Sequence, residues 1–433
     1  MSALDSLAQS PAMVELQAAG ERLQKNPAFG AVSGGMMGTM GLILAGAIFT
    51  IISTLLDLAG VLEVTDAAYQ WLQVPYNMTM GLISLAVAFG VAYAYTENLG
   101  MQGAMANGFV ALFLFLMVSS PAESVTLADG TTKTVLDTTY LGGTGMFCAL
   151  ILPIIVVRII KLCADRHIVI RMPDVVPQFL SDSFSALIPL VLNIVLWCGL
   201  NTAVEAACGF NIPGAVMEVL SIPLGVLISG PGMFVLITIC MLFWSLGIHG
   251  TSIVGVVITP VMITAYQTNA ELIAAGEAPV FNPTMLFLTV SCCGGTGNLL
   301  PLAVCCLRAR SEQLRAVGKA GLVPACFGIS EPMVFGVPVM LNPVIAIPFI
   351  ANTVLTSAIA FVLFQIGFLR PPSVLLMTAL PIFFPEFLSS MAIQNCMLPI
   401  IGFVVGYLCY APFLAMYDKQ CLEREQAERA HTV

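Results

Sequence analysis

Two polar residues interrupt long apolar stretches of this sequence and could bind a polar ligand. Glu331 lies in the stretch GISEP (328–332), and His249 lies in GIHGTS (247–252). A carboxylate accepts hydrogen bonds from hydroxyl groups, and a neutral imidazole both donates and accepts them. The two residue types together suit a ligand rich in hydroxyls, such as a sugar.

The surroundings of Glu331 predict a helix break beside a binding cavity. A carboxylate within apolar membrane sequence is costly unless it has partners, so it indicates a functional site. Pro332 disfavours helical geometry at the preceding residue and supplies no amide hydrogen. Ser330 and the backbone groups freed by the break are therefore candidate contacts for polar ligand atoms. The alternative is a structural acid that is bonded to backbone amides or is simply protonated.

His249 is the one histidine of three that falls within an apolar segment. Its glycine neighbours let a ligand or another backbone approach closely, and Thr251 adds a hydroxyl two residues later. The alternative is a core histidine bonded to a carbonyl. A metal site is not expected, because no second His, Cys or Asp lies at ligand spacing, and the pattern predicts no cofactor.

A glycine-rich stretch, GGTGN (294–298), lies within a third apolar run. No Gly-Lys-Ser/Thr sequence follows it, so it is not a Walker loop. Close helix packing would also explain its glycines. Taken with the other two breaks, the stretch predicts a loop that lines the cavity through Gly295, Thr296 and Asn298.

The elements that position these residues must be membrane helices. Of 433 residues, 58% are hydrophobic and 9% are charged, whereas soluble domains carry about 25% charged residues. A span needs about 20 apolar residues, so the chain has room for about ten. The net charge of −9, without a basic stripe, argues against nucleic acid binding. The 13 cysteines lie mostly in apolar sequence and are expected to be packing residues.

Charge placement orients the chain in the membrane. Basic residues lie before the first apolar stretch, after the fourth and in the C-terminal tail, whereas the segments 57–77 and 121–141 are acidic. The positive-inside rule then places both termini in the cytoplasm. Residues 1–28 resemble an amphipathic cytoplasmic helix, and residues 171–183 resemble an interfacial linker.

Glycine and proline interruptions are concentrated in the second half of the chain. Broken backbone at membrane depth is tolerated where it lines a watery cavity, and it marks transporter binding sites. We therefore predict a site within 240–345, in a transport half of residues 226–433, with residues 1–225 as a scaffold. The basic residues from Arg308 to Lys319 predict a cytoplasmic loop or, alternatively, a docking surface for a phosphorylated partner.

Two stretches resemble the membrane (IIC) component of lactose/cellobiose phosphotransferase systems, including the diacetylchitobiose-like kind. They are WSLGIHGTSIVG (244–255) and the block from GGTGN to GISEPMVFGVPVMLNP (294–343). In that family, Gly-Ile-His-Gly and Gly-Ile-Asn-Glu-Pro segments are the signatures. NPAFGAVSGGMMG near the N-terminus and APF at 411–413 also fit, so the resemblance spans nearly the whole chain.

The resemblance implies an all-α integral membrane protein of the glucose-type IIC superfamily fold, with about ten transmembrane helices plus re-entrant hairpins. It implies a homodimer with an N-terminal interface, and a disaccharide of the cellobiose, chitobiose or lactose class as the substrate. A separate cytoplasmic IIB protein, charged by an upstream IIA protein, would phosphorylate the sugar. Glu331 and His249 would hold sugar hydroxyls, and Glu331 could accept the proton of the attacking hydroxyl.

Departures from the family pattern bear on which sugar is carried. Ser330 stands where Asn is usual, and Asn298 stands where a small apolar residue is usual. The tryptophan often found near 380–385 is missing, so Phe383 or Phe384 would supply an aromatic face. Two other functions stay open: a secondary transporter, proton-coupled through Glu331 or facilitated, and a membrane sensor that transports nothing.

Overall fold

The computed structural model of the protein is dominated by helices. The residues described are 22, 25–63, 65–126, 130–168, 170, 173, 184, 187–337, 339–340, 342–376 and 380–431. Most of the helix expected over residues 1–28 and most of the linker expected over residues 171–183 lie outside this described part.

Seven helical stretches in the described chain are long and apolar enough to cross a membrane, judged by length and composition. They are Pro27–Asp57, Ala67–Asn98, Gly143–Asp165, Leu187–Cys208, Gly250–Ala274, Val344–Gln365 and Ile393–Gln426. Two shorter apolar helices are Ala104–Ser119 and Gly230–Ser245. The prediction of a helical membrane-spanning protein is therefore confirmed.

The chain divides into two compact units, and the division falls between Gly225 and Val226. The helices before it are α1 (Pro27–Gly38), α2 (Met40–Leu58), α3 (Ala67–Thr79), α4 (Ile83–Asn98), α5 (Ala104–Ser119), α6 (Met146–Asp165), α7 (Leu187–Cys208) and α8 (Ile212–Leu227), the last of which reaches the boundary. Whether this unit is the scaffold and dimer interface stays a prediction.

Glycines bring helices α1 and α4 of the first unit into close contact. A Cβ atom on Gly35 would lie 2.5 Å from the Val91 amide nitrogen, and one on Gly90 would lie 3.0 Å from the Gly35 carbonyl oxygen. Larger residues would push the two backbones apart, as at other small-residue helix crossings in membrane proteins. The glycine-rich start of the first apolar stretch thus serves helix packing.

A small β-hairpin is the exception to helix in the first unit's described residues. Strand β1 (Ala122–Thr126) pairs antiparallel with β2 (Thr132–Leu136), and Ala122 is the partner of Leu136. The hairpin lies in the acidic segment 121–141 that the charge pattern places outside the membrane, and all of β2 is exposed.

The second unit consists of long helices and several short ones. Its helices are α9 (Gly230–Ser245), α10 (Gly250–Ala274), α11 (Leu300–Leu307), α12 (Glu312–Cys326), α13 (Glu331–Gly336), α14 (Pro343–Gln365), α15 (Phe384–Ser390) and α16 (Met397–His431), with 3-10 helices at Pro283–Val290 and Ile393–Cys396. Within 240–345, the helices break at 246–249, at 275–299 and at 327–330, as the glycines there predict. The interruption predicted at Pro260 is wrong, because Pro260 lies inside α10.

Side-chain caps fix where several helices of the second unit begin. Ser229 accepts a hydrogen bond from the Gly232 amide at 3.2 Å, and Pro231 occupies the first turn of α9. Asn342 likewise accepts from the Val344 amide at 3.1 Å before α14. Such caps satisfy amides that have no partner inside the helix, and proline needs none.

Candidate functional site

His249 lies at the turn between α9 and α10 and caps the start of α10. The turn is possible because Gly247 adopts a φ of 84°, which glycine reaches without strain. A Cβ atom on Gly250 would lie 2.0 Å from the Cys240 carbonyl oxygen, so only glycine fits there. The Gly-Ile-His-Gly sequence is therefore what allows α10 to fold back closely on α9 with the histidine at its tip.

The hydrogen bonds of His249 determine which ring nitrogen carries the proton. Nδ1 accepts from the Ser252 amide at 3.2 Å and is 2.7 Å from the Ser252 hydroxyl and 3.0 Å from the Thr251 hydroxyl. An amide can only donate, so Nδ1 is unprotonated and the neutral ring carries its hydrogen on Nε2. Trp244 packs on the imidazole with ring centroids 4.4 Å apart. The exposed ring thus presents Nε2–H as a donor.

Glu331 is the first residue of α13, just after a helix break. Helix α12 ends at Cys326, and the amides of Met333 and Val334 both donate to the Ser330 carbonyl, at 3.0 and 2.9 Å. The Glu331 side chain is exposed. Within the described residues no group donates a hydrogen bond to its carboxylate, so both oxygens are open to ligand hydroxyls.

The structure brings Glu331 and His249 together. The Glu331 carboxylate interacts electrostatically with the His249 imidazole, although 82 residues separate the two in sequence (331 − 249). One group offers acceptors and the other offers a donor. Each sugar hydroxyl is both a donor and an acceptor, so the hydroxyls of one sugar can complement both groups.

The GGTGN stretch forms a tight loop rather than a helix. Gly294, Gly295, Gly297 and Asn298 all have positive φ, at 97°, 78°, 87° and 51°. The Gly297 amide donates to the Val290 carbonyl at 2.8 Å, which closes the loop. Because side chains other than glycine and asparagine rarely adopt this conformation, the sequence of the loop follows from its backbone.

Asn298 binds the backbone of its own loop. It is fully buried; its Oδ1 accepts from the Cys293 amide at 2.9 Å, and its Nδ2 donates to the Thr289 carbonyl at 3.0 Å. Two residues outside the loop also hold it in place. The Gly297 carbonyl accepts a hydrogen bond from the Tyr410 hydroxyl at 2.7 Å and one from the Asn352 side-chain amide at 3.0 Å. No pattern in the sequence marks these last two contacts.

The loop lies directly against the break that carries Glu331. A Cβ atom on Gly295 would lie 2.6 Å from the Gly328 carbonyl oxygen and 2.9 Å from the Ser330 amide nitrogen. Thr296, next in the loop, is half-buried, whereas Ser330 is buried. Of the predicted site residues, Gly295, Ser330 and Glu331 thus meet in space, and His249 joins them through its interaction with Glu331.

Glu386 is a second acidic residue of interest, and the sequence reasoning missed it. Its side chain is only 7% exposed, in the short helix α15, which lies between two candidate spans. Burial raises the pKa of this carboxyl to about 8. It also interacts electrostatically with Tyr266, whose buried hydroxyl has no hydrogen-bond partner among the described residues. The signal was an acid inside the apolar run LPIFFPEFL.

The aromatic residues expected to face a sugar are accessible. Phe383 is 39% exposed and Phe384 is 55% exposed, and Phe383 has a φ of 82°. The described residues contain no group of three or more His, Cys, Asp or Glu side chains that could hold a metal ion.

Comparison with known proteins gives consistent matches over nearly the whole chain. Residues 33–353 match the family described as phosphotransferase system, EIIC. The lichenan permease IIC component of Bacillus subtilis (strain 168) is 32% identical over 411 residues, 91% of this chain and 90% of that protein. The lactose-specific EIICB component of Lacticaseibacillus casei is 29% identical, covering 94% of this chain and 71% of that protein.

A solved structure matches as well. The crystal structure of the transporter ChbC, the IIC component from the N,N'-diacetylchitobiose-specific phosphotransferase system, has a TM-score of 0.85 and 28% sequence identity to this chain. The match covers 94% of this chain and 98% of that one.

Proposed function

Because the chain belongs to the phosphotransferase system EIIC family and is a sugar permease of that system, we propose that it carries a disaccharide of the cellobiose, chitobiose or lactose class. The observation that carries this proposal is the pairing of His249 and Glu331. His249 offers a donor at Nε2, the Glu331 carboxylate within electrostatic range offers acceptors, and sugar hydroxyls complement both.

We assign the individual contacts from the geometry of the site. Glu331 accepts hydrogen bonds from sugar hydroxyls, and His249 donates one from Nε2. Thr251 acts on the sugar through His249, because its hydroxyl lies 3.0 Å from Nδ1. Gly295, Thr296 and Ser330 line the cavity, largely through backbone groups. Asn298 contributes by holding the loop in place, since its amide is used by Thr289 and Cys293.

A separate cytoplasmic IIB protein, itself charged by an upstream IIA protein, phosphorylates the sugar in this proposal. The EIICB name of the lactose-specific relative, which joins both components, supports the pairing. Glu331 accepts the proton of the attacking sugar hydroxyl. The hydroxyl oxygen forms a bond to the phosphorus carried on a cysteine of IIB, the phosphorus–sulfur bond breaks, and the cysteine leaves as a thiolate. The sugar phosphate is trapped, because a charged group does not cross hydrocarbon readily.

The membrane arrangement is also part of the proposal. The protein lies in the bacterial plasma membrane, in contact with lipid, with both termini in the cytoplasm, as the basic clusters indicate. Residues 226–433 form the sugar-transport half. Residues 1–225 form a scaffold through which two copies associate as a homodimer.

The test is transport in proteoliposomes supplied with phosphorylated IIB on the inner side. We expect labelled cellobiose, chitobiose or lactose to appear inside as the sugar phosphate, and only when phosphorylated IIB is present. Accumulation of free sugar without a phosphate donor would overturn the coupling in favour of secondary transport. Tight sugar binding with no flux under any condition would overturn transport itself in favour of a sensor.

A further inference from the structure

Helix α16 is longer than a membrane span requires. It has 35 residues, which extend about 52 Å at 1.5 Å per residue, against a hydrocarbon core of about 30 Å. Two acidic residues of its C-terminal end, Asp418 and Glu425, are seven residues apart and therefore lie on the same face of the helix. Both are half-buried rather than freely exposed.

These two carboxylates bind the backbone of the turn between α11 and α12. The oxygens of Asp418 accept hydrogen bonds from the amides of Arg310 and Ser311, both at 2.8 Å. Glu425 accepts from the Ser311 hydroxyl at 2.6 Å and from the amides of Gln313 at 3.0 Å and Glu312 at 3.2 Å. The first amides of α12, which have no partner within the helix, are thus satisfied by negative charge, the sign that a helix N-terminus favours.

Helix α12 connects this clasp of Asp418 and Glu425 to the sugar site. Its 15 residues span about 22 Å, and the next helix begins at Glu331. The two helices are closely packed, because a Cβ atom on Gly321 would lie 2.2 Å from the Met333 sulfur and one on Gly336 would lie 2.5 Å from a Val317 methyl. The clasp and the Glu331 segment therefore lie at opposite ends of α12, about 22 Å apart.

The clasp lies within a basic surface. The exposed cations on the turn, on α12 and on the end of α16 are Arg308, Arg310, Arg315, Lys319, Lys419 and Arg424. The Arg308 guanidinium is also held in place, because it donates to the Tyr407 hydroxyl at 3.0 Å and lies 5.9 Å from the centre of that ring. The carboxylates of Asp418 and Glu425, which lie among these cations in sequence, accept hydrogen bonds from backbone amides.

We propose that the α11–α12 turn and the end of α16 form one docking surface for the phosphorylated IIB protein, in which Asp418 and Glu425 are positioning residues. The exposed arginines and lysines attract the anionic partner, and the clasp fixes the backbone from which they project. This inference rests on the proposed function, because it names where the partner of that reaction binds.

The experiment compares the Michaelis constant for phosphorylated IIB with the dissociation constant for the sugar. The double variant Asp418→Ala/Glu425→Ala makes the surface more positive, so net charge alone would lower KM for an anionic partner. Loss of positioning raises it instead, by about tenfold, with an unchanged sugar Kd. For Glu425→Gln we expect a KM between those of wild type and Glu425→Ala, because one oxygen, Oε1, accepts from both Ser311 and Gln313.

A matched control is Glu423→Gln, which removes an exposed acid from the same helix without touching the clasp. Its KM should stay at or below the wild-type value. Should the double variant fail to fold, Arg310→Gln keeps the clasp, since only the backbone of that residue donates to Asp418. It is expected to raise KM and to weaken the dependence of KM on salt.

Two results separate the possible failures. In the first, wild type phosphorylates sugar with phosphorylated IIB, but the clasp variants and Arg310→Gln have the wild-type KM, or the clasp variants have a lower KM. The docking surface is then refuted and the proposed function stands. If wild type shows no phosphorylation with phosphorylated IIB, both proposals are refuted.

Discussion

Replacing Glu331 by glutamine tests the role of the carboxylate with little change in shape. In the structure the side chain is exposed and interacts electrostatically with His249, and within the described chain no donor occupies its oxygens. A bound sugar would therefore supply the hydrogen bonds that this carboxylate makes. Hydrogen bonds to charged groups contribute about 1.5–3 kcal/mol.

The size of the effect follows from that range. Glutamine keeps one acceptor oxygen but loses the charge, so we expect Kd to rise about tenfold, which corresponds to about 1.4 kcal/mol. Alanine loses the acceptor as well and should raise Kd about a hundredfold. Phosphorylation of the sugar should fall further than binding does, because glutamine cannot accept the proton of the attacking hydroxyl.

Isothermal titration calorimetry of the purified protein with a disaccharide measures Kd directly. Trp244 packs against His249 and offers a fluorescence signal for the same equilibrium. The control is Glu277→Gln, an exposed acid in the loop after α10. An unchanged Kd and an unchanged phosphorylation rate for Glu331→Gln would refute the assigned role, as would an equal loss in the control.

Three further predictions concern the loop and the buried acid. Gly297→Ala should destabilise the protein by more than about 3 kcal/mol, because the added Cβ atom would lie 1.9 Å from the Phe349 ring and the residue has a φ of 87°. The destabilisation is measured as a lower Tm. An unchanged Tm would show that the loop does not have the described conformation. Tyr410→Phe removes one of the donors to the Gly297 carbonyl, so it should lower the free energy of unfolding by about 1 kcal/mol and weaken sugar binding slightly. The control is Tyr93→Phe at an exposed position, and an equal loss of stability there would contradict a specific role of Tyr410. For Glu386, burial raises the pKa in the folded protein to about 8 from 4.5, so the folded state holds this proton more tightly than the unfolded state. The resulting contribution to stability is complete below pH 4.5. It is lost as pH rises toward 8, by up to about 1.4 kcal/mol per pH unit. Glu386→Gln should therefore flatten the dependence of Tm on pH over this window, and identical slopes in wild type and variant would contradict it.

The helix breaks could be predicted from sequence because their cause is local. Glycine at 247 and 250 frees the backbone at those positions, and proline at 332 restricts it. A polar residue placed at such a break within apolar sequence has few explanations besides a site. The sequence alone therefore predicts His249, Glu331 and the loop at 294–298 as site residues.

The remaining features depend on contacts between distant segments. The Tyr410 hydroxyl reaches the loop from 113 residues away, and Asp418 reaches the Arg310 amide from 108 residues away. Neither partner has a sequence pattern that marks it, since Tyr410 lies in an ordinary apolar helix and Asp418 in a charged tail. The hydrogen bonds of the Asn298 side chain to its own loop likewise depend on the positive φ values around it. The sequence GGTGN is compatible with those values but does not require them.

The most direct test is a structure of the protein with a bound disaccharide. We predict sugar hydroxyls within hydrogen-bonding distance of His249 Nε2 and of the Glu331 carboxylate, at about 2.6–3.2 Å, with the loop at 294–298 unchanged. A sugar bound elsewhere in the chain, or one that leaves both side chains without contact, would contradict the proposed site.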